Sequence, residues 1–184
     1  MRKVVVKCKL KNREEFETRL AEIDMRFDKT YWQHDRVYFP RTYKRGQNYP
    51  RLIMRTEMMA VDKPARYSIV LKRHIEDSGV DIVDTTIVKD YTEMSNIIHQ
   101  LGFVKHAEIS RRRMDIVMGR GVVIHLDKVE NIPGFYAKME AVLEEGESVK
   151  EVREDLVKTF KVLDQTEIVD KTYGELLNSQ TKKV

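Results

Sequence analysis

Lys3-Val4-Val5-Val6-Lys7-Cys8-Lys9-Leu10-Lys11 alternates almost residue by residue between two chemistries. Val4, Val6, Cys8 and Leu10 form one face, and Lys3, Val5, Lys7, Lys9 and Lys11 form the other. A period of two means a strand with one buried face. The polar second face points to an antiparallel setting, because strands of parallel sheets are usually apolar on both faces.

The same reading extends outward along the chain. It predicts further strands at Trp32–Phe39, Arg51–Glu57, Ala65–His74, Asp81–Val88, Glu108–Val117, Val122–Val129 and Tyr136–Leu143, eight with the first. Turn chemistry separates several of them, at Lys44-Arg45-Gly46-Gln47-Asn48, Asp77-Ser78-Gly79 and Gly119-Arg120-Gly121. Helical spacing predicts three helices. Asn12 and Glu15 read as a capping box for the stripe Phe16, Leu20, Ile23 and Phe27. A second helix spans Asp90–Gln100, with Met94, Ile97, Ile98 and Leu101 inward and Gly102 ending it. A third starts at Ser148 and carries Val152, Leu156, Phe160 and Leu163. Runs of strands between helices, without βαβ alternation, define an α+β class. Eight antiparallel strands can close into a barrel. No linker, repeat or low-complexity segment divides residues 1–184, so one domain is expected. The polar tail from Asn178 to Val184 is expected to fray.

Composition narrows the function. Charged residues make up 35% of the 184, above the usual ~25%, so some charge is expected to line more than the outer surface. Thirty-four Lys and Arg against 30 Asp and Glu leave a net charge of +4. That modest excess argues against a nucleic-acid partner. The single cysteine, Cys8, excludes an intrachain disulfide and a Cys-based metal site. It falls on the apolar face and reads as a small hydrophobe. No apolar run approaches the ~20 residues of a membrane helix, and no signal-peptide core follows Met1-Arg2-Lys3. A cytoplasmic location without a membrane partner is expected, and a homodimer stays open.

The strand faces gather the cations. Lys7 and Lys9 share a face, as do Arg51 and Arg55, and Arg111 and Arg113. Lys72 lies at the end of an apolar strand, with Arg73 turned the other way. His125 shares a face with Asp127, and Lys138 with Glu140. Strand by strand, such charge reads as an ordinary solvated face. Jointly, the spacing arrays planar guanidinium forks suited to phosphate oxygens. A closed barrel would turn that array inward, where a polyanion would offset it. His125 reads as a satisfied interior histidine, the other histidines show no metal spacing, and Trp32, Tyr38 and Phe39 read as core, with stacking on a base as their alternative role.

These residues resemble the CYTH family, which includes class IV adenylyl cyclases, thiamine triphosphatases and inorganic triphosphatases. Gln33-His34-Asp35 with Tyr38-Phe39 is similar to its Q-x-D…Y-F stretch, and Arg51-Leu-Ile-Met-Arg55 to its G-R-L-K-L-R strand. Leu71-Lys72-Arg73 is similar to its Y-K-R, and Ile109-Ser-Arg111-Arg112-Arg113 to its V-x-K-x-R. Ile124-His-Leu-Asp127 with Val129 is similar to I-H-L-D-x-V, Met139-Glu140-Ala-Val-Leu to the E-L-E strand, and Tyr173-Gly-Glu-Leu-Leu177 to the S-Y-x-E-L-L end. The matches follow the family's order over nearly the whole chain. The resemblance implies a closed eight-stranded antiparallel barrel of triphosphate-tunnel type with flanking helices. It also implies basic residues that hold a triphosphate and acidic residues that hold Mg²⁺ or Mn²⁺.

The departures carry as much information. The family's opening E-x-E-x-K reads Lys3-Val4-Val5-Val6-Lys7, so both glutamates are replaced, by Lys3 and Val5. With one extra residue in the loop at Ile132–Phe135, the first glutamate of the late E-x-E pair becomes Lys138, and Glu140 remains. Thr56 and Val123 replace a glutamate and an arginine that the family often carries. Mg²⁺ needs hard oxygen ligands, whereas ammonium groups only donate and can bind phosphate themselves.

The expected function is therefore binding of a phosphate-rich small ligand without turnover. The ligand would be a nucleotide, a cyclic nucleotide, a cyclic oligonucleotide or a triphosphate. Lys3, Lys7, Lys9, Arg51, Arg55, Lys72, Arg111, Arg113 and Lys138 are its expected contacts, with no catalytic residue and no cofactor. A metal, Mg²⁺ or Mn²⁺, enters only if a CYTH cyclase or triphosphatase site has been rebuilt. Asp127 and Glu140 are then its candidate ligands, and internal ion pairs are their alternative role. An RNA-binding or protein-interaction module, using Arg41-Thr-Tyr-Lys-Arg45 and Arg111–Arg113, is a further alternative. Removal of Arg111 and Arg113 is expected to abolish ligand binding and spare the fold.

Overall fold

The computed structural model describes residues 1–44, 48–60, 62–75, 79–119 and 121–181. Its strands are β1 (Arg2–Lys9), β2 (Tyr31–Pro40), β3 (Arg51–Met58), β4 (Arg66–Ile75), β5 (Val80–Val88), β6 (Phe103–Val117), β7 (Val122–Val129) and β8 (Tyr136–Val142). They close into a barrel in the order β1-β5-β4-β3-β2-β6-β7-β8, with β8 bonded back to β1 and every pairing antiparallel. Four helices flank it, α1 (Arg13–Ala21), α2 (Tyr91–Gln100), α3 (Val149–Val162) and α4 (Tyr173–Thr181). This is the α+β barrel of triphosphate-tunnel type.

The alternation of β1 decides the packing. Val4, Val6, Cys8 and Leu10 face outward with Ile124, Leu126 and Met139, beneath Phe16 and Leu20 of α1 and Leu156 and Phe160 of α3. On another side, Ile98 and Met94 of α2 cover Tyr38 and Met54. A third apolar cluster occupies one end of the lumen. There Val37, Ile53, Val70, Ile109, Val129 and Tyr136 meet Tyr173, Leu176 and Leu177 of α4. At the other end the inward-face residues Thr85 and Ile87 are exposed.

β1 joins β5 over only Arg2, Lys3 and Val4. The rest of that edge would be left unpaired. Residues 167–169 cover it: Lys9 N donates to Glu167 O at 3.0 Å, and Val169 N donates to Lys7 O at 2.8 Å.

Several expectations are corrected. α1 stops at Ala21, and Asp24 takes a left-handed backbone with φ of 56°. Ile23 is therefore 55% exposed, and Phe27 packs from a loop. Asn12 accepts from Glu14 N and Glu15 N, but Glu15 bonds Arg19 rather than completing a capping box. On α2, Ile97 and Leu101 are exposed. β6 begins at Phe103 rather than Glu108, because a bulge at Val37/Tyr38 lets β2 and β6 stay paired to Pro40. The tail is helical through Thr181 rather than frayed from Asn178. The turn residues 45–47, 77, 78 and 120 lie outside the described residues.

Phe160 is fully buried where α3 meets β1 and α1. Phe160→Ala is expected to lower stability by about 3–5 kcal/mol, measured as a lower urea midpoint with an unchanged slope.

Candidate functional site

Register and side-chain alternation place Lys3, Lys7, Lys9, Arg51, Arg55, Lys72, Arg111, Arg113 and Lys138 on the inward face. Lys9 sits at the rim rather than the centre. Its Cε lies 3.2 Å from where a Cβ on Gly134 would stand, and Gly134 has a φ of 89°, so the turn there needs glycine.

Acids enter the same space. Asp35 accepts from Arg55 Nε at 2.8 Å, from Arg55 Nη2 at 3.1 Å and from Arg111 Nη2. Asp127 accepts from Arg113 Nε at 2.6 Å and Nη2 at 2.7 Å, and from the Tyr173 hydroxyl at 2.8 Å. Lys72 Nζ lies 2.6 Å from Asp81, which also meets His74 at 3.1 Å. Glu140 lies between Lys3 Nζ at 2.8 Å and Lys138 Nζ. His125 Nδ1 meets Asp115 at 2.6 Å. The cations are therefore largely offset by interior carboxylates, and the reading in which a polyanion must offset the whole array is corrected.

The electrostatics follow from this pairing. Burial alone would raise the Asp35 carboxyl, but Arg111 and Arg55 hold it far below the ordinary range. Arg113 does the same for the buried Asp127. Against burial, Lys138 and His125 keep Glu140 well below its usual value. Burial, aided by Arg113 and Lys138, lowers His125, which favours the neutral ring. Burial also lowers Lys7 to about 8, with Lys72 contributing from across the lumen.

These pairs do not suit a resident divalent ion. Asp35, Asp81 and Asp127 each have both carboxylate oxygens engaged by neighbours. Glu140 has one oxygen on Lys3 and the other on Lys138, and its partner across β1 is the apolar Val5. Among the described residues no three His, Cys, Asp or Glu side chains converge as metal ligands.

Three of the inward cations stand apart, the rim residue Lys9 among them. Among the described residues none of Lys7, Lys9 and Arg51 has a carboxylate at ion-pair distance, although Glu175 lies near enough to act on both Lys7 and Arg51. Lys7 donates instead to Lys171 O and lies 4.5 Å from the centroid of the Tyr173 ring. Arg111 has a buried Nε without a hydrogen-bond partner among the described residues. A buried donor left unpaired is costly.

Sequence reasoning assigned no role to Tyr173. The signal was available: Thr172 and Glu175 form a reciprocal capping box, with Thr172 N donating to Glu175 at 2.7 Å and Glu175 N to Thr172 Oγ1 at 3.3 Å. That cap starts α4 with Tyr173 pointing into the barrel. Trp32 is also corrected, since it faces outward and is 37% exposed.

The barrel and its charged lumen define a protein of triphosphate-tunnel fold. No family model and no curated protein matches the sequence. Solved structures do match. The PH1819 protein of Pyrococcus horikoshii OT3 has a TM-score of 0.83 at 19% identity, over 97% of this chain and 99% of that one. A proposed adenylate cyclase from Vibrio parahaemolyticus has a TM-score of 0.80 at 16% identity, over 96% and 97%. HpAC1 from Hippeastrum, a proposed adenylyl cyclase with a dominant triphosphatase activity, has a TM-score of 0.60 at 16% identity, over 97% and 96%. At these identities the likeness is one of fold.

Removing Arg113 would leave Asp127 buried without its cationic partner and with only the Tyr173 hydroxyl, so the double substitution of Arg111 and Arg113 tests stability as well as binding. Asp127→Ala is expected to lower stability by about 3–5 kcal/mol, read by urea denaturation. Asp155→Ala, which breaks an exposed pair with Lys158, is expected to change it by less than about 1 kcal/mol.

Proposed function

We propose that this chain is a CYTH-type barrel that binds a phosphate-bearing small ligand, a nucleotide or triphosphate, in its lumen without a metal and without turnover. The buried, unpartnered Nε of Arg111 carries this reading, supported by Lys7 and Arg51, which among the described residues make no direct ion pair and have only the more distant Glu175 to offset them. A phosphate oxygen would complete Arg111 and displace Lys171 O from Lys7. Lys3 and Lys138 add positive charge beside Glu140, where the CYTH resemblance places metal-holding acids.

Calorimetry of ATP, cyclic nucleotides and tripolyphosphate, with Mg²⁺ and with chelator, tests the reading. Binding that survives chelator with the ligand recovered intact is expected. Metal-dependent release of phosphate, or formation of cyclic AMP, would replace it with the enzyme reading suggested by the cyclase and triphosphatase neighbours. Arg51→Ala and Lys7→Met are expected to weaken binding while the urea midpoint stays near that of the parent.

Lys7 gives the binding a pH signature. Its free-state value is about 8, and a polyanion beside it favours the ammonium form. Above pH 8 the ligand must therefore bring a proton on with it. Affinity is expected to fall by up to about tenfold per pH unit there, with proton uptake visible as a buffer-dependent enthalpy. Burial lowers Lys138 to about 7, so it contributes uptake of its own, and Lys7→Met is expected to reduce that slope without abolishing it.

A further inference from the structure

The outward face of β3, β2, β6 and β7 differs from the rest of the barrel exterior. Cross-strand register sets Met58 beside Trp32, Trp32 beside Arg112, and Arg112 beside Lys128. The row continues beyond the sheet. Lys128 Nζ lies 5.0 Å from the Phe135 ring centroid, and Arg13 Cζ lies 5.0 Å from the same ring. Arg112 Cζ lies 4.7 Å from the Trp32 ring. Cations and aromatic rings thus follow one another from Trp32 to Arg13.

The row is open. Trp32, Met58, Arg112 and Lys128 are all exposed, whereas the helices cover other outward faces. Among the described residues Arg112 and Lys128 have no carboxylate at ion-pair distance. Glu17 holds Arg13 at 2.9 Å, Asp127 beside Lys128 faces inward, and Glu130 follows just past β7. The parallel row runs through Thr56, His34 and Ser110 and ends at Glu130, whose N donates to Ser110 O at 2.9 Å, with His34 Nδ1 2.8 Å from Ser110 Oγ.

We infer that this row is a binding surface for single-stranded nucleic acid, separate from the lumen. Arg112 and Lys128, which have no carboxylate at ion-pair distance although Lys128 donates to Gly134 O at 3.2 Å, match a phosphate backbone. An exposed indole supplies a face on which an unpaired base can stack, and such stacking tolerates any sequence. A duplex keeps its base faces covered, so a single strand suits the surface. An acidic peptide would use the cations but leave Trp32 and Met58 uncovered. The small net charge hides this surface, because the cations are clustered rather than numerous.

Trp32 is the one tryptophan in the chain, so its fluorescence reads the surface directly. Titration with a short oligouridylate is expected to quench Trp32, with affinity falling steeply as salt rises. R112E/K128E is expected to weaken binding at least about tenfold, and R112Q/K128Q by less, with circular dichroism unchanged in both. Tripolyphosphate added only to the level that saturates the lumen, at matched ionic strength, is expected to leave the quenching in place. Absence of quenching, equal quenching by polyglutamate, unchanged affinity in R112E/K128E, or displacement by that level of tripolyphosphate would each overturn the inference. Failure here leaves binding in the lumen to be decided by its own titrations with chelator.

Discussion

Closing the strands into a barrel forces every second residue of each strand into one shared space. In this chain much of that space is charged. Guanidinium and ammonium groups confined together repel, and burial makes each harder to charge. Carboxylates placed on neighbouring strands relieve the repulsion. Asp35 of β2 reaches Arg55 of β3 and Arg111 of β6. Asp127 of β7 reaches Arg113 of β6, and Glu140 of β8 reaches Lys3 of β1. Each pair follows a strand-to-strand contact, so the ion pairs and the backbone ladders specify the same order. Where pairing stops, at Lys7, Arg51 and the Arg111 Nε, the lumen keeps capacity for an anion.

Much of the fold was legible because period-two patterning is local. Val4, Val6 and Cys8 announce their face without reference to any other strand. The bounds of β7, Val122–Val129, match those its sequence predicts. The errors fall where local signals compete with distant ones. Ile23 and Phe27 fit a helical stripe, but the chain turns at Asp24. Phe103 to Ala107 lack a clean alternation and become strand only because β2 continues beside them. Of the site, the cations and their faces were legible. Their partners were not, because Asp35 meets Arg111 only through the adjacency of β2 and β6, which sit far apart in sequence.

The structural neighbours show what such a barrel constrains. A TM-score of 0.83 at 19% identity means that most positions can change while the path of the chain does not. Alternation, turn chemistry and the covering helices suffice for that path. Which charged residue stands at an inward position is a separate matter, and chemistry differs there. Lys3 and Lys138 around Glu140 occupy such positions, as does the apolar Val5.

The bonding of β1 to β8 also sets a timetable. Residues 2–9 leave the ribosome before the rest of the barrel, yet their long pairing runs along residues 136–142, and residues 167–169 cover the remaining edge. Strand β1 must therefore wait, apolar face exposed, until most of the chain has been synthesised. Pairing at such separation is slow to nucleate, and an exposed strand invites wrong partners meanwhile. The lysines that alternate through β1, three of them within Lys3–Lys9, would then act as solubilising gatekeepers during translation before they become the wall of the lumen.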